Sequence, residues 1–391
     1  MVNIYRMKFF LVFFIVFSIK AQDIVQIGMG PSYLYDIYFS FESGITAYPE
    51  RTNWEISFST NLNDGNIRIN SGSPVILYEV AQNNKYWSQI NSIPSNAVQL
   101  RNSSTDWNIG AFKNYNSQEL DFSKIYIIDY PSGIKKIRIN SFESGVFNFT
   151  YADLNGQNEQ NVNININDYQ SKNFIYYSLS TNEILDREPN KDEWDILFTK
   201  YEEDLNNDIN NPLYYYVSGV LSNENLTYEF NGPNDIIPLM TFEEFSYDIN
   251  TIGYDWKEYT GVFSMIPDRS YFIFSQNQST MYRIIFQSFS GQSSGNVEFS
   301  INEVESNIFS NEKIFDRNEI SIFPNPSSGV FSVEYPDFYG QISLIDIGGK
   351  ELFNKDFIGK IDFNLESINS GIYFLKVSSD DLHLTKKIII E

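Results

Sequence analysis

The sequence predicts an all-β protein of more than one unit, and three observations lead there. Phe and Tyr are abundant, 33 and 27 of 391 residues, and with the Ile and Thr content they favour strands over helices. Beyond residue 21, apolar residues do not recur at i, i+3, i+4 and i+7 over helix-length stretches. A strand-like block, Trp54-Glu55-Ile56-Ser57-Phe58, returns as Trp194-Asp195-Ile196-Leu197-Phe198. In each block Trp, Ile and Phe are expected on one face of a period-two strand, with the acid and its neighbour on the other. The chain is also longer than one core usually serves, so two or three domains are expected.

Residues 1–21 read as a secretory signal. Arg6 and Lys8 precede the apolar run from Phe9 to Phe17, which is too short for a membrane span, and cleavage is expected after Ala21. The first β-rich repeat, 22–165, holds the lead-in Tyr38-Phe39-Ser40, the Trp54 block and the alternating run Ile67-Arg68-Ile69-Asn70-Ser71-Gly72. Asp106-Trp107, the strand Tyr126 to Tyr130 and a hairpin-like run from Lys136 to Tyr151 follow, and Val162 to Ile166 closes the half. The second repeat, 166–304, gives matching parts in the same order. They are Tyr176-Tyr177-Ser178, the Trp194 block, Asp255-Trp256, Tyr271 to Phe274, Tyr282 to Gly291 and Val297 to Ile301. Matched landmarks in one order indicate a tandem duplication. A polar, acidic linker, 305–318, precedes a third unit, 319–391, of short alternating strands divided by Gly and Asn turns, enough for a small Ig-like sandwich.

A formal charge of −23 sets aside nucleic acid and a polybasic contact with anionic lipid. The absence of Cys removes disulfides, thiolate chemistry and a lipoprotein anchor. The one His, His383, lies in the third unit, so triads and His-based metal sites drop out of the body.

The third unit resembles the type A sorting domain of the type IX secretion system. The residues behind this are Pro324, Asn325, Pro326 and Gly329, the turn Asp346, Gly349, Lys350, the strand start Gly371 and Tyr373, and the ending Lys386-Lys387. The resemblance implies partnership with the type IX machinery and residence on the outer-membrane exterior or in the medium. It also implies removal of the tail and attachment to surface polysaccharide or release. The duplicated body resembles, more loosely, the HmuY-like family, through the Trp blocks, the Ile67 to Gly72 turn, Ser144 to Ala152 and Ser288 to Gly291. That likeness implies fold first and haem capture second. The family's bis-His ligation is excluded here, which leaves Met240, Met265 and Met281 as weak haem-ligand candidates, with Tyr as another option.

Other constellations are sparse. Tyr86 and Trp87 are the unmatched aromatic pair and the candidates for ligand contact. Trp54, Trp107, Trp194 and Trp256 recur in both halves and read as packing anchors. The acidic run Glu202 to Asp208 fails as an EF-hand loop, with Ile209 and Tyr215 where Gly and a carboxylate would stand, and no metal site is assigned. The expectation is a non-catalytic binding protein taking haem, another small molecule, a glycan or a protein. A structural or adhesive surface protein is the alternative, and a carboxylate-based glycosidase stands third.

Overall fold

A computed structural model describes residues 23–62, 65–112, 120–206, 211–241, 244–276, 280–304, 320–346, 350–365, 368–379 and 382–390. The signal segment with Ala21, the linker 305–318 and Gly349 lie outside them. The fold is all-β, and the described residues are 54% strand and 5% helical.

In chain order the strands of the first half are β1 Asp23–Gly28, β2 Ile37–Ser40, β3 Gly44–Ala47, β4 Ile56–Ser59, β5 Ile67–Ile69, β6 Ile76–Asn83, β7 Val98–Leu100, β8 Lys124–Tyr130, β9 Gly133–Glu143, β10 Val146–Asp153 and β11 Gln160–Asn165. The second half continues with β12 Phe174–Ser178, β13 Glu183–Leu185, β14 Ile196–Asp204, β15 Tyr214–Ser222, β16 Thr227–Asn231, β17 Lys257–Tyr259, β18 Phe263–Met265, β19 Arg269–Phe274, β20 Met281–Phe289 and β21 Asn296–Val304. The tail contributes β22 Ser321–Phe323, β23 Val330–Asp346, β24 Glu351–Asn364, β25 Gly371–Ser379 and β26 Leu382–Ile390.

The body is two sheet pairs and a separate two-stranded ribbon, β17-β18. One combines β11-β10-β9-β8-β6-β7 with β13-β12-β4-β5, and the other combines β1-β21-β20-β19-β16 with β15-β14-β2-β3. The folded unit is therefore out of phase with the sequence repeat. The hairpin β12–β13 completes the first core by pairing with β4, Tyr176 opposite Ser57. The N-terminal strands complete the second: β1 runs along β21, and β2 pairs with β14, Phe39 opposite Ile196. One core accordingly draws on residues from Ile56 to Leu179, and the other on Ile27 to Phe41 together with Ile196 to Ile301. Similarity between repeats has no intrinsic phase; burial of each hairpin's apolar face decides which partner it joins.

The Trp blocks keep their expected strands but not their expected faces. Ile56 and Phe58 enter the first core and Ile196 and Phe198 the second. Each Trp precedes its strand and turns to the opposite side, where Trp54 meets Tyr176 edge-on at 4.8 Å and Trp194 meets Tyr38 at 5.1 Å. That side is a second interface, because the sheets carrying β4 and β14 pack their outer faces towards each other. All four residues of β4 are buried for this reason.

The acids of the two blocks are buried as well. Glu55 Oε2 accepts the main-chain N–H of Leu179, and Asp195 Oδ2 accepts that of Phe41. Each acid thus caps the end of the strand that the other half of the sequence supplies. Asn70 and Asn223 form a second matched pair. Asn70 Nδ2 donates to the carbonyls of Arg51 and Trp54, and Asn223 Nδ2 to those of Lys191 and Trp194.

The tail is one hydrogen-bonded sheet, β22-β23-β25-β26 with β24 on β23. Phe353 and Phe363 lie ten residues apart on β24, yet their rings are 4.9 Å apart. An extended strand would separate them by about 30 Å, so β24 bends back on itself. The two arms share the core of Phe331, Val333, Leu344 and Leu375, and the small sandwich is one folded sheet.

Candidate functional site

Tyr38 and Tyr176, the matched residues of the two returning strands, meet with their buried hydroxyls 3.3 Å apart. Beside them is a cavity of about 60 Å³ at the seam between the sheets of β4 and β14. Its charged lining comprises Asp36, Arg68, Arg187, Lys200 and Glu202. Arg187 pairs with Asp36 at 2.8 Å, and Thr199 Oγ1 donates to the other Asp36 oxygen at 2.6 Å. Arg101 holds Glu202 at 3.0 Å. Arg68 is fixed by the carbonyls of Ser103, Asp106, Trp107 and Ile109, and burial lowers its pKa to about 10.

Glu188 lies behind the tyrosine pair, accepting from Tyr176 Oη and from the main-chain N–H of Asn173. Burial lifts its carboxyl to about 7 from 4.5 despite those bonds. The folded state therefore holds the proton more tightly than the unfolded chain. The stability that this provides is present below pH 4.5, declines as pH rises through 7, and amounts to roughly 3 kcal/mol. Glu188→Gln should flatten that slope, with a gain of about 3 kcal/mol at pH 8 and little change near pH 4, read from urea unfolding at the two pH values.

An open hollow of about 420 Å³ lies next to the cavity and shares Trp107 and Phe174 with it. Its wall includes Asn61, Asn108, Asn173, Lys191 and Glu224, and is predominantly polar. Asn108 Nδ2 donates to Glu224 Oε1 at 3.0 Å across it. Both halves contribute to this wall. The matched tryptophans part company here. Trp256 is buried and stacked on Phe286 at 4.0 Å, whereas Trp107 is half-buried at the seam, with Arg68 over its ring at 5.0 Å.

The residues singled out in sequence lie elsewhere. Trp87 stands in the 3₁₀ turn Asn84–Gln89, its Nε1 donating to Glu159 and its ring between Lys136 and Arg138 at 4.9 and 4.8 Å. It covers the buried Lys136 ammonium, which donates to the carbonyls of Trp87, Ile90 and Leu154. Tyr86 is its half-buried neighbour. Met240 and Met281 share a cluster with Phe245, Phe272 and Phe274, while Met265 packs against the second core. Asn207 and Asp208 of the acidic run lie outside the described residues; within these, no group of three or more His, Cys, Asp or Glu side chains is placed to hold a metal ion. The seam residues Arg68, Arg187, Lys200 and Asn108 escaped the sequence reading, because no spacing links positions brought together by the returning hairpins.

In the tail, the motif's two ends meet. Asn325 Nδ2 donates to the carbonyl of Lys387, and its Oδ1 accepts from the N–H of Ile389, so the Pro324-Asn325-Pro326 segment is fastened to the terminal strand. Gly329 follows on, with its carbonyl accepting from Leu365. Asp346 accepts the N–H of Lys350 across the turn, and Tyr373 Oη donates to the carbonyl of Asn369.

Residues 321–391 match the family described as the secretion system C-terminal sorting domain. This third unit is a type IX secretion sorting domain, and it indicates export to the cell surface or the extracellular space. Its presence implies an interaction with the type IX machinery. No curated protein matches the chain.

Proposed function

We propose that the body is a non-catalytic binding module that takes a glycan in the polar hollow at the seam, after export by way of the sorting tail. In this reading the signal segment and the tail are removed, and the body is attached to surface polysaccharide or released. The observation that supports it is the wall shared by the two halves, with amides and charges around Trp107 in a volume within the range of ligand sites. The acids lining the adjoining cavity, Asp36 and Glu202, are each held by an arginine, which favours binding over carboxylate catalysis. Haem fits less well. Met240 and Met281 are 0% and 3% exposed among aromatic rings, where methionine fills gaps.

Two titrations separate these readings. Haemin added to the full chain should give no saturable Soret shift. On an array of neutral and acidic oligosaccharides the chain should bind, and Asn108→Ala and Glu224→Ala should each weaken binding at least tenfold with unchanged melting. A stoichiometric Soret shift, or glycan binding indifferent to both substitutions, contradicts the proposal.

A further inference from the structure

The core of the tail explains only every second residue of its strands. On β25 Tyr373, Leu375 and Val377 turn inward, and on β26 Ile388 and Ile390 do, each no more than 8% exposed. Their neighbours in sequence therefore face outward. A sheet with one face in water usually carries polar residues there. Here Ile372 is 43% and Phe374 36% exposed, and Ile345 and Ile389 are half-buried. Register makes these four one surface. Phe374 stands opposite Ile345 of β23 on one side and Lys387 of β26 on the other, and Ile372 stands opposite Ile389.

The rim of this surface is basic. Lys387, and Lys376 two residues beyond Phe374, are exposed, and among the described residues neither ammonium makes an ion pair or a hydrogen bond. Glu351 is the acid opposite Ile345, and it accepts from Asn354. Lys376 continues the face into a polar hollow of about 400 Å³, lined also by Ser343, Asn354 and Thr385. The outer face of the other arm is different in kind. Phe323 and Val330 are exposed there, but the Lys360 ammonium lies over the Phe323 ring at 5.7 Å, and Ser332 and Asp362 beside them are bonded to each other at 2.6 Å. The apolar face with the free lysines also coincides with the stretches that mark the tail as a sorting domain: the residue before the Asp346 turn, the strand start at Gly371 and the Lys386-Lys387 ending. Folding explains Tyr373 and Ile388, which pack inward; it does not call for an exposed Ile372, Phe374 or Lys387.

We infer that the outer face built by Ile345, Ile372, Phe374 and Ile389 is the surface by which the type IX machinery takes hold of the tail, and that the component it meets presents an apolar patch ringed by carboxylates. An apolar centre with a charged rim is the anatomy of a specific interface, and the sign of the rim selects the partner. Two exposed lysines without partners stand out in a chain of formal charge −23, and they suit an acidic counterpart. The inference rests on the sorting-domain match of residues 321–391 and is independent of the glycan proposal for the body.

The test is export of the full chain from cells that carry the type IX machinery, measured as the fraction on the surface and in the medium against the fraction retained inside the outer membrane. Phe374→Ser and Lys387→Glu should each lower the exported fraction at least tenfold. Val330→Ser, at a position 46% exposed on the opposite arm, should leave it unchanged. Slow amide exchange across 371–379 in the purified variants shows that the tail is still folded; where Phe374→Ser loosens it, Lys387→Glu, which removes no packing, decides alone. Parental export of folded Phe374→Ser and Lys387→Glu, or a loss as large in Val330→Ser, overturns the face. A chain without 320–391 sets the baseline. Its retention beside parental export of the two variants overturns this face alone, whereas its export overturns the sorting role too. Glycan binding that depends on Asn108 and Glu224 is untouched by either failure.

Discussion

A chain lacking residues 23–51 should keep its first half folded and lose its second. The deletion removes Ile27, Met29, Tyr33, Ile37, Phe39 and Phe41 from the second core, each no more than 9% exposed. Full burial of a large apolar side chain contributes about 1.5–3 kcal/mol. Six of them outweigh the 5–15 kcal/mol that holds a typical domain together. The edges of β14 and β21 would also be left without their ladder partners. The first core needs none of these residues, since it is closed by β12 and β13. Hydrogen exchange followed by mass spectrometry should show slow amides in 124–153 and fast ones in 196–204 and 281–304. A synthetic 23–51 peptide added in trans should restore the latter. Retained protection across 196–304 without the peptide would contradict the closure.

The second large effect is expected at Asp195. Its carboxylate accepts the N–H of Phe41 at 2.8 Å and that of Gln276 at 2.7 Å, in a site 4% exposed. Asp195→Ala strands both donors away from water, at about 1–3 kcal/mol each, so a loss of roughly 2–6 kcal/mol is expected. Glu55→Ala should cost less. Its partners are the buried N–H of Leu179 and the hydroxyl of Ser180, and the latter is exposed and can turn to water. Urea midpoints should therefore fall in the order Asp195→Ala below Glu55→Ala below parent. Equal midpoints for Asp195→Ala and the parent would remove the capping role.

Much of this architecture is legible in the residues. Period-two runs such as Ile56 to Phe58 and Val162 to Ile164 mark strands because alternate side chains must go to opposite faces. The matched tyrosines Tyr38 and Tyr176 mark the duplication. What similarity cannot convey is that these two residues touch. Each lead-in matches the other equally well whether it joins its own half or the opposite one, and only the burial of Phe39 against Phe299 and of Tyr177 against Phe149 selects the partner. Trp54 and Trp194 were expected beside Ile56 and Ile196, but they sit ahead of the strands, where alternation no longer binds them.

The candidate site was the least legible part. Asn70 and Asn223 do the same work in the two halves, yet they follow their tryptophans at different distances along the chain because the intervening turns differ in length. Arg68 has no such counterpart, since Leu221 stands in the matching place on β15. The sorting domain is the opposite case. Asn325 and the terminal Lys-Lys-Ile segment are legible as a motif because the fold requires both ends of it to meet.

Closure of the second half by the N-terminal strands is the point on which the fold, the seam and the proposed glycan site depend. It can be tested by one cross-link. Gln26 on β1 and Glu298 on β21 face each other in register, 272 residues apart in sequence, with Gln26 Nε2 donating to Glu298 Oε2 at 2.9 Å near the surface. The chain has no cysteine of its own, so Gln26→Cys with Glu298→Cys introduces a single pair. Facing Cβ atoms in antiparallel strands are within reach of a disulfide. Mild oxidation of the monomer should join the two positions within one chain, seen as a linked peptide by mass spectrometry and as a raised melting temperature. Free thiols after oxidation, or a link formed only between two chains, would contradict the account.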